Sequence, residues 1–194
     1  MKRFVDITLS LFGLLILWPF LLIIAVLILF DSKGGVFFKQ TRVGNNNVDF
    51  LLYKFRTMVI GAEQKGQITV GDKDNRITRT GYFLRKYKLD ELPQLLNVLK
   101  GDMSIVGPRP EVRKYVDMYT IEQKKVLQVL PGLTDYASIE YANENMLLAG
   151  VGDWEKVYVE QIMPDKLRLN LKYIEEKSLM TDLKIIFKTI AKII

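Results

Sequence analysis

Histidine and cysteine are both absent from this sequence. Without imidazole or thiolate, the common zinc sites and the Ser-His and Cys-His nucleophiles cannot be assembled, and no disulfide can form. Carboxylates, lysine, tyrosine, hydroxyls and hard oxygen-bound metals remain, so an enzyme built on this chain is expected to run on Asp or Glu with Mg2+. Negative charge is also in short supply: 22 acidic residues face 28 Lys and Arg, a net charge of +6. That surplus suits nucleic acid, anionic lipid or a phosphorylated small molecule, and does not choose among them. At 194 residues the chain has room for one domain with a proper core plus an anchor, and is short for two. Internal repeats, low-complexity tracts and flexible linkers are not evident.

Charge is missing altogether from residues 7–30. As a helix rising about 1.5 Å per residue, this stretch would measure about 36 Å, enough for a hydrocarbon core of roughly 30 Å. It is too long for a cleavable signal peptide, and no small-residue cleavage site follows it. Pro19 removes a backbone donor and clashes with the Leu15 carbonyl, which predicts a kink. Lys2 and Arg3 precede the stretch, and Lys33, Lys39, Arg42, Lys54 and Arg56 follow it, whereas a spanning helix concentrates its cations on one side. Two topologies satisfy these residues. One is a helix bent at Pro19 that enters and leaves through one leaflet; the other is a tilted, kinked span, since membrane helices tolerate proline.

Beyond a turn at Asp31-Ser32-Lys33-Gly34-Gly35, residues 36–42 and 48–55 are rich in β-branched and aromatic side chains around Gly44-Asn45-Asn46-Asn47, which predicts a short β-hairpin. Residues 61–75 are polar and read as a loop. Helices are expected over 82–87, over 90–99 with Lys100-Gly101 as the C-cap, over 111–130 closed by Pro131-Gly132, and over 163–177. In the last segment, 178–194, Leu183, Ile186, Phe187, Ile190 and Ile194 share one helical face, with Lys184, Lys188 and Lys192 on another. That pattern fits a helix lying among lipid headgroups and equally a surface helix packed on a core. The fold class is α+β and mostly helical.

Asp90 and Glu91 are adjacent within Leu89-Asp90-Glu91-Leu92-Pro93. Proline is tolerated only in a first helical turn, so Pro93 predicts that Asp90 lies near a helix N-terminus, where both acids could converge on one metal or phosphate. An N-cap aspartate followed by a solvated glutamate would read the same way. The cations nearby weigh toward chemistry: Lys54, Arg56, Arg76, Arg79, Arg85, and Arg109 held between Pro108 and Pro110. Guanidinium forks match phosphate oxygens, and a proline-locked loop presents one with little entropy left to lose. Together these residues point to phosphoryl chemistry with Mg2+ at a lipid surface.

These residues closely resemble the bacterial sugar transferases, also called monotopic phosphoglycosyl transferases. The resemblance is carried by Val36-Phe37-Phe38-Lys39-Gln40, Arg42-Val43-Gly44, Lys54-Phe55-Arg56-Thr57-Met58, Leu84-Arg85, Leu89 through Leu95, Asn97 through Ser104, Val106 through Glu111 and Pro131-Gly132-Leu133-Thr134, in order across nearly the whole chain. It implies transfer of a sugar 1-phosphate from a UDP-sugar to a polyprenyl phosphate, usually undecaprenyl phosphate, with release of UMP. Asp90 would be the catalytic nucleophile that forms a covalent phosphosugar intermediate. Glu91 would help Asp90 hold Mg2+, and Lys54 and Arg109, with Arg56, Arg79 and Arg85, would bind phosphate. The resemblance also implies a re-entrant membrane helix over residues 1–30 kinked at Pro19, a catalytic domain over 31–194, and interfacial amphipathic helices. The setting would be the cytoplasmic face of a bacterial inner membrane, at the first step of a surface glycan. The partners are then UDP-sugar, undecaprenyl phosphate and membrane lipid, without nucleic acid; a homodimer through the membrane helix is compatible. Two rivals are a glycosyltransferase that releases UDP and a non-catalytic module that binds anionic lipid. Where many relatives carry Ser before the membrane proline this chain has Trp18, after Pro-Gly-Leu-Thr it reads Asp135-Tyr136-Ala137-Ser138 in place of Gly-Trp-Ala-Gln, and Asn170 stands where many have Asp.

Overall fold

The computed structural model describes residues 1–62, 74–149 and 151–193. Most of the loop expected over 61–75, and Ile194 at the end of the amphipathic face, lie outside the described residues. Helix α1, Lys2–Asp31, runs through Pro19 and buries only Asp6, Ser10, Ile24 and Ile28. Among the described residues it is the one helix long and apolar enough to cross a membrane. Its outward surface is Leu, Ile, Phe and Trp, including Phe12, Leu15, Trp18 and Ile23, a composition that water would penalise and hydrocarbon would not.

Both ends of α1 are tied to the same body of protein. At the start, Arg3 donates to the carbonyls of Val98 at 2.6 Å and Leu99 at 3.1 Å, and the Asp6 carboxylate accepts from the Ser104 hydroxyl at 2.9 Å and the Ile105 N–H at 3.1 Å. At the far end, Asp31 accepts the Thr80 N–H at 2.7 Å, while Ile24 and Ile28 pack with Phe55 and Leu84.

The predicted hairpin is present. Strand β1, Phe37–Val43, pairs antiparallel with β2, Asp49–Phe55, in the register Phe37↔Phe55 to Val43↔Asp49. The turn between them needs left-handed backbone at Asn46 and Asn47, with φ of 54° and 62°, and asparagine adopts this more readily than other side chains. Helix α2, Arg79–Lys86, is N-capped by the Thr78 hydroxyl, which accepts the Gly81 N–H. It crosses the residue after Arg56 so closely that a Cβ on Gly81 would sit 2.0 Å from the Thr57 carbonyl oxygen, so only glycine fits.

Helix α3, Gln94–Lys100, ends at Gly101 in the left-handed conformation, φ 98°, the C-cap that the sequence predicts. Fully buried Asn97 ties α3 to β2, accepting the Tyr53 N–H at 3.0 Å and donating to the Leu51 carbonyl at 2.7 Å. Strand β3, Ser104–Val106, pairs parallel with β4, Gly132–Thr134.

The single long helix expected over 111–130 is not formed. Helix α4 covers only Arg113–Val116, and a 3-10 turn covers Gln123–Gln128. Thr120 and Gln123 explain the break: the Thr120 hydroxyl accepts the Gln123 N–H at 3.2 Å while the Gln123 side chain accepts the Thr120 N–H at 2.9 Å. This reciprocal capping box starts a new turn in mid-run. Helices α5, Tyr136–Glu140, α6, Glu144–Leu148, and α7, Trp154–Val157, follow; a π turn, Tyr158–Ile162, leads into α8, Met163–Glu176, and α9 covers Leu179–Ile193. The largest core cluster gathers Val43, Tyr115, Val116, Leu148, Tyr158 and Leu167.

On α9 the residue driven into the core is Ile185, beside Val106 and Tyr173. Phe187 and Ile190 of the predicted apolar face stay exposed together with Met180, Leu183 is half-buried, and Ile186 packs partly on the core. The helix therefore has two apolar strips, one packed and one open.

Candidate active site

Lys88 begins the site in left-handed backbone, φ 55° and ψ 20°, an unusual choice for a lysine that costs of order 1 kcal/mol or more. Its carbonyl accepts the Glu91 N–H at 3.3 Å and opens a 3-10 turn, Leu89–Glu91. The acidic pair thus lies one element before α3, not in its first helical turn as the sequence predicts. Pro93 is the cause. It has no N–H to reach back to the Leu89 carbonyl, and its ring would crowd that oxygen, so the Leu92 N–H takes the carbonyl in the tighter pattern at 3.3 Å and α3 begins after the proline.

The two acids are placed differently. Glu91 Oε1 receives Lys54 Nζ at 3.1 Å and also the Arg109 guanidinium. Lys54 is on β2 and Arg109 on the proline-bounded loop after β3, so two segments converge on a carboxylate carried by a third. Asp90 is only 8% exposed, yet its carboxylate has no hydrogen-bond or ion-pair partner among the described residues. Burial raises the Asp90 carboxyl above its ordinary value and the neighbouring Glu91 charge adds to the rise, against Lys54, Arg85 and Lys88. For Glu91 burial works in the same upward direction, but Arg109 and Lys54 outweigh it and hold the group well below the carboxylate range. Lys54 is pulled down by burial, with Glu91 opposing. Arg109 would be lowered by burial, but Glu91 pushes it up. The result is one locked, ionised acid beside one unpaired acid in a site ringed by cations, the divergence expected of carboxylates with different tasks.

Arg109 is held at both ends. Its backbone N–H donates to Asp135 Oδ2 at 3.0 Å, and its guanidinium reaches the Leu133 carbonyl at 3.4 Å as well as Glu91. The Pro110 carbonyl accepts from Arg42, which also pairs with Glu111 at 3.0 Å. Gly107 and Gly132 allow β3 and β4 to meet here: a Cβ on Gly132 would fall 2.1 Å from the Gly107 nitrogen.

The remaining predicted residues separate. Arg85, half-buried at the end of α2, acts electrostatically on Asp90. Arg79 is exposed at the start of α2. Arg56 is buried, and its guanidinium is committed to the carbonyls of Ser32 at 2.8 Å, Ile28 at 3.5 Å and Lys33. It caps the C-terminus of α1, where orphan carbonyls and the helix dipole favour a cation, instead of facing the acidic pair. Arg76 pairs with Asp74 at 2.5 Å. Two residues escaped sequence reasoning. Lys88 carries no local signal, because nothing in a lysine announces left-handed backbone. Asp135 did have one, an N-cap aspartate three residues before Ser138 at the start of a helix.

Among the described residues no group of three or more acidic or metal-binding side chains is assembled. Mg2+ commonly uses only one or two protein carboxylates and completes its shell with water and substrate phosphates. The Asp90 carboxylate and Glu91 Oε2 have no protein partner among the described residues, so the donor set fits such an ion.

Comparison with known proteins gives this geometry a context. The family model described as bacterial sugar transferase matches residues 1–194. A UDP-N-acetylgalactosamine-undecaprenyl-phosphate N-acetylgalactosaminephosphotransferase of Aeromonas hydrophila is 39% identical over 100% of this chain, which spans 43% of that protein. An uncharacterized sugar transferase of Bacillus subtilis (strain 168) is 38% identical over 100% of the chain and 87% of its own length. A UDP-glucose:undecaprenyl-phosphate glucose-1-phosphate transferase of Escherichia coli (strain K12) is 37% identical over 99% of the chain, and 40% of that protein is covered.

Proposed function

The chain belongs to the bacterial sugar transferases, and from that premise we propose that it moves a sugar 1-phosphate from a UDP-sugar to undecaprenyl phosphate, releasing UMP and starting a surface glycan. The observation that carries the reading is the nearly buried Asp90, unpaired among the described residues, beside a Glu91 clamped by Lys54 and Arg109. An Asp90 oxygen attacks the phosphorus that bears the sugar, and the bond from that phosphorus to the bridging oxygen breaks. UMP leaves with the electron pair, and an aspartyl phosphosugar remains. A phosphate oxygen of the lipid then attacks the same phosphorus and restores the carboxylate. Both steps bring anions together, so fixed cations are the main requirement. Lys54 and Arg109 supply them from one side, and Arg85 and Lys88 supply them near Asp90. Asp90 and Glu91 would hold Mg2+, which when bound supplies further positive charge against the diphosphate. A carboxylate needs no general base at neutral pH, in keeping with a chain without histidine.

The same reading assigns residues 1–30 to a re-entrant membrane element and 31–194 to a catalytic domain on the cytoplasmic face of the inner membrane. Its support is that Arg3 and Asp6 at one end of α1, and Asp31 at the other, bond to one body of protein while the apolar middle faces outward. A straight crossing would carry one end about 30 Å away through lipid. The open strip on α9 (Met180, Phe187 and Ile190) and exposed Tyr82 and Phe83 on α2 fit burial in the headgroup region beside lysines.

The test is to supply a panel of UDP-sugars with undecaprenyl phosphate and Mg2+ and to identify the nucleotide released. UMP is the expected product, with a phosphosugar adduct on the chain when donor alone is present. Release of UDP would replace this reading with direct glycosyl transfer.

A further inference from the structure

Pro108, Arg109 and Pro110 contain a single backbone N–H, that of Arg109, because neither proline can donate. That one donor goes to a side chain: Asp135 Oδ2 accepts it at 3.0 Å. Asp135 is fully buried, and its other oxygen accepts the Ser138 N–H at 2.6 Å as the N-cap of α5. Capping alone would need only one oxygen, which a serine or threonine hydroxyl could provide without burying a charge. The second oxygen is spent on the loop. Pairing between the two chain segments continues through Gly107 N–H to the Thr134 carbonyl at 3.0 Å and Gly132 N–H to the Pro108 carbonyl at 2.9 Å. Asp135 extends this line by one residue in extended backbone, φ −157° and ψ −178°, with its carboxylate standing in for a carbonyl.

We infer that Asp135 is a positioning residue for the proposed transfer, fixing the Arg109 backbone so that the guanidinium reaches Glu91 and the donor diphosphate. The inference rests on the proposed function for its kinetic consequence, though not for the contact itself. Arg109 leaves the loop between two rigid residues, so a small rotation of its peptide would swing the guanidinium by much more. The buried charge also favours the guanidinium electrostatically, in the same direction as Glu91. Among the described residues no other side chain holds the Arg109 backbone N–H; Arg42 holds the next carbonyl.

Asp135→Ser separates capping from positioning, because the hydroxyl can keep the Ser138 N–H while leaving the Arg109 N–H without its acceptor. Asp135→Asn is the near-isosteric second variant, should the serine chain fold poorly. In the full chain, with a UDP-sugar that the wild type turns over, the expected result is a chain that still unfolds cooperatively, its midpoint lowered by the loss of one hydrogen bond, and a fall in kcat of about tenfold in the folded protein, the size of one charge-assisted hydrogen bond. Arg109→Ala combined with Asp135→Ser should be no slower than Arg109→Ala alone, since the aspartate acts only through the arginine. Losses that multiply in the combined variant, or an unaltered kcat in both Asp135 variants, would overturn the inference. A third readout needs no turnover. In protein labelled with 15N at arginine, the Arg109 guanidinium signal should be ordered in the wild type and motionally averaged in Asp135→Ser. A wild type that releases no UMP would defeat the proposed function while leaving this signal to judge Asp135, and an unchanged signal would refute the positioning.

Discussion

Lys2 and Asp182 form an ion pair at 2.5 Å that joins the first turn of α1 to α9 near the end of the chain. Lys2 also donates to the Val106 carbonyl at 3.0 Å, and Tyr173 donates to Asp182 at 2.8 Å, so the start of this long apolar helix is fastened where β3, α8 and α9 meet. Because Arg3 and Asp6 hold the same end, releasing it requires Lys2→Met and Asp182→Asn combined with Arg3→Met and Asp6→Ala. A cysteine replacing exposed Phe4 is expected to react with an impermeant maleimide only from the cytoplasmic side in the otherwise native chain. Some labelling from the opposite side is expected in the unfastened one. Opposite-side labelling of the native chain would show a span.

Asp90→Asn removes the proposed nucleophile and should abolish both UMP release and the covalent adduct. It should also leave the fold as stable as before or more so, because burial and Glu91 disfavour the ionised Asp90. Thermal unfolding alongside turnover checks both halves. A substantial loss of stability would mean that Asp90 is a structural acid.

Arg56→Ala and Arg109→Ala should fail in opposite ways. The first uncaps α1 and leaves the carbonyls of Ser32 and Lys33 without this partner. It is expected to cost roughly 2 kcal/mol or more of stability, with the surviving folded enzyme turning over at a near-normal rate. The second removes one clamp on Glu91 and one proposed phosphate contact, and should slow transfer by about a hundredfold or more. If Arg56→Ala instead cuts kcat in fully folded protein, the arginine belongs to the substrate site.

The pH dependence follows from the sign of the Asp90 shift. Its folded value lies above the ordinary 3.8, so the protonated, unreactive form persists to higher pH. The rate of adduct formation should fall on an acid limb centred above 3.8 as pH drops. Lys88 is one of the cations that lower Asp90, and Lys88→Gln should move this limb to still higher pH. Single-turnover rates across pH measure it; a limb that stays in place would separate Lys88 from Asp90.

Local pattern was enough for the hairpin, because alternating strands around an asparagine-rich turn satisfy their hydrogen bonds within twenty or so residues. It was enough for α8 as well, and for the C-cap at Gly101. It failed where a nearby polar group competed with helix periodicity. Thr120 and Gln123 cap each other and split a helix that the apolar spacing joins, and Pro93 moves Asp90 and Glu91 into a turn of their own. On α9 the spacing grouped Leu183, Phe187 and Ile190 without naming Ile185, since an apolar strip looks the same whether it faces protein or lipid.

The sequence by itself determined the chemistry available: no imidazole or thiolate, a surplus of cations, one charge-free stretch, and an acidic pair before a proline, all consequences of side-chain type and short-range sterics. Only the tertiary structure decided which cation serves which purpose. Arg56 and Arg109 are the same residue type in equally basic surroundings, yet one closes the end of a helix and the other grips Glu91. Their difference arises from contacts between segments far apart in the chain, and the free energy of a charge is set by what surrounds it.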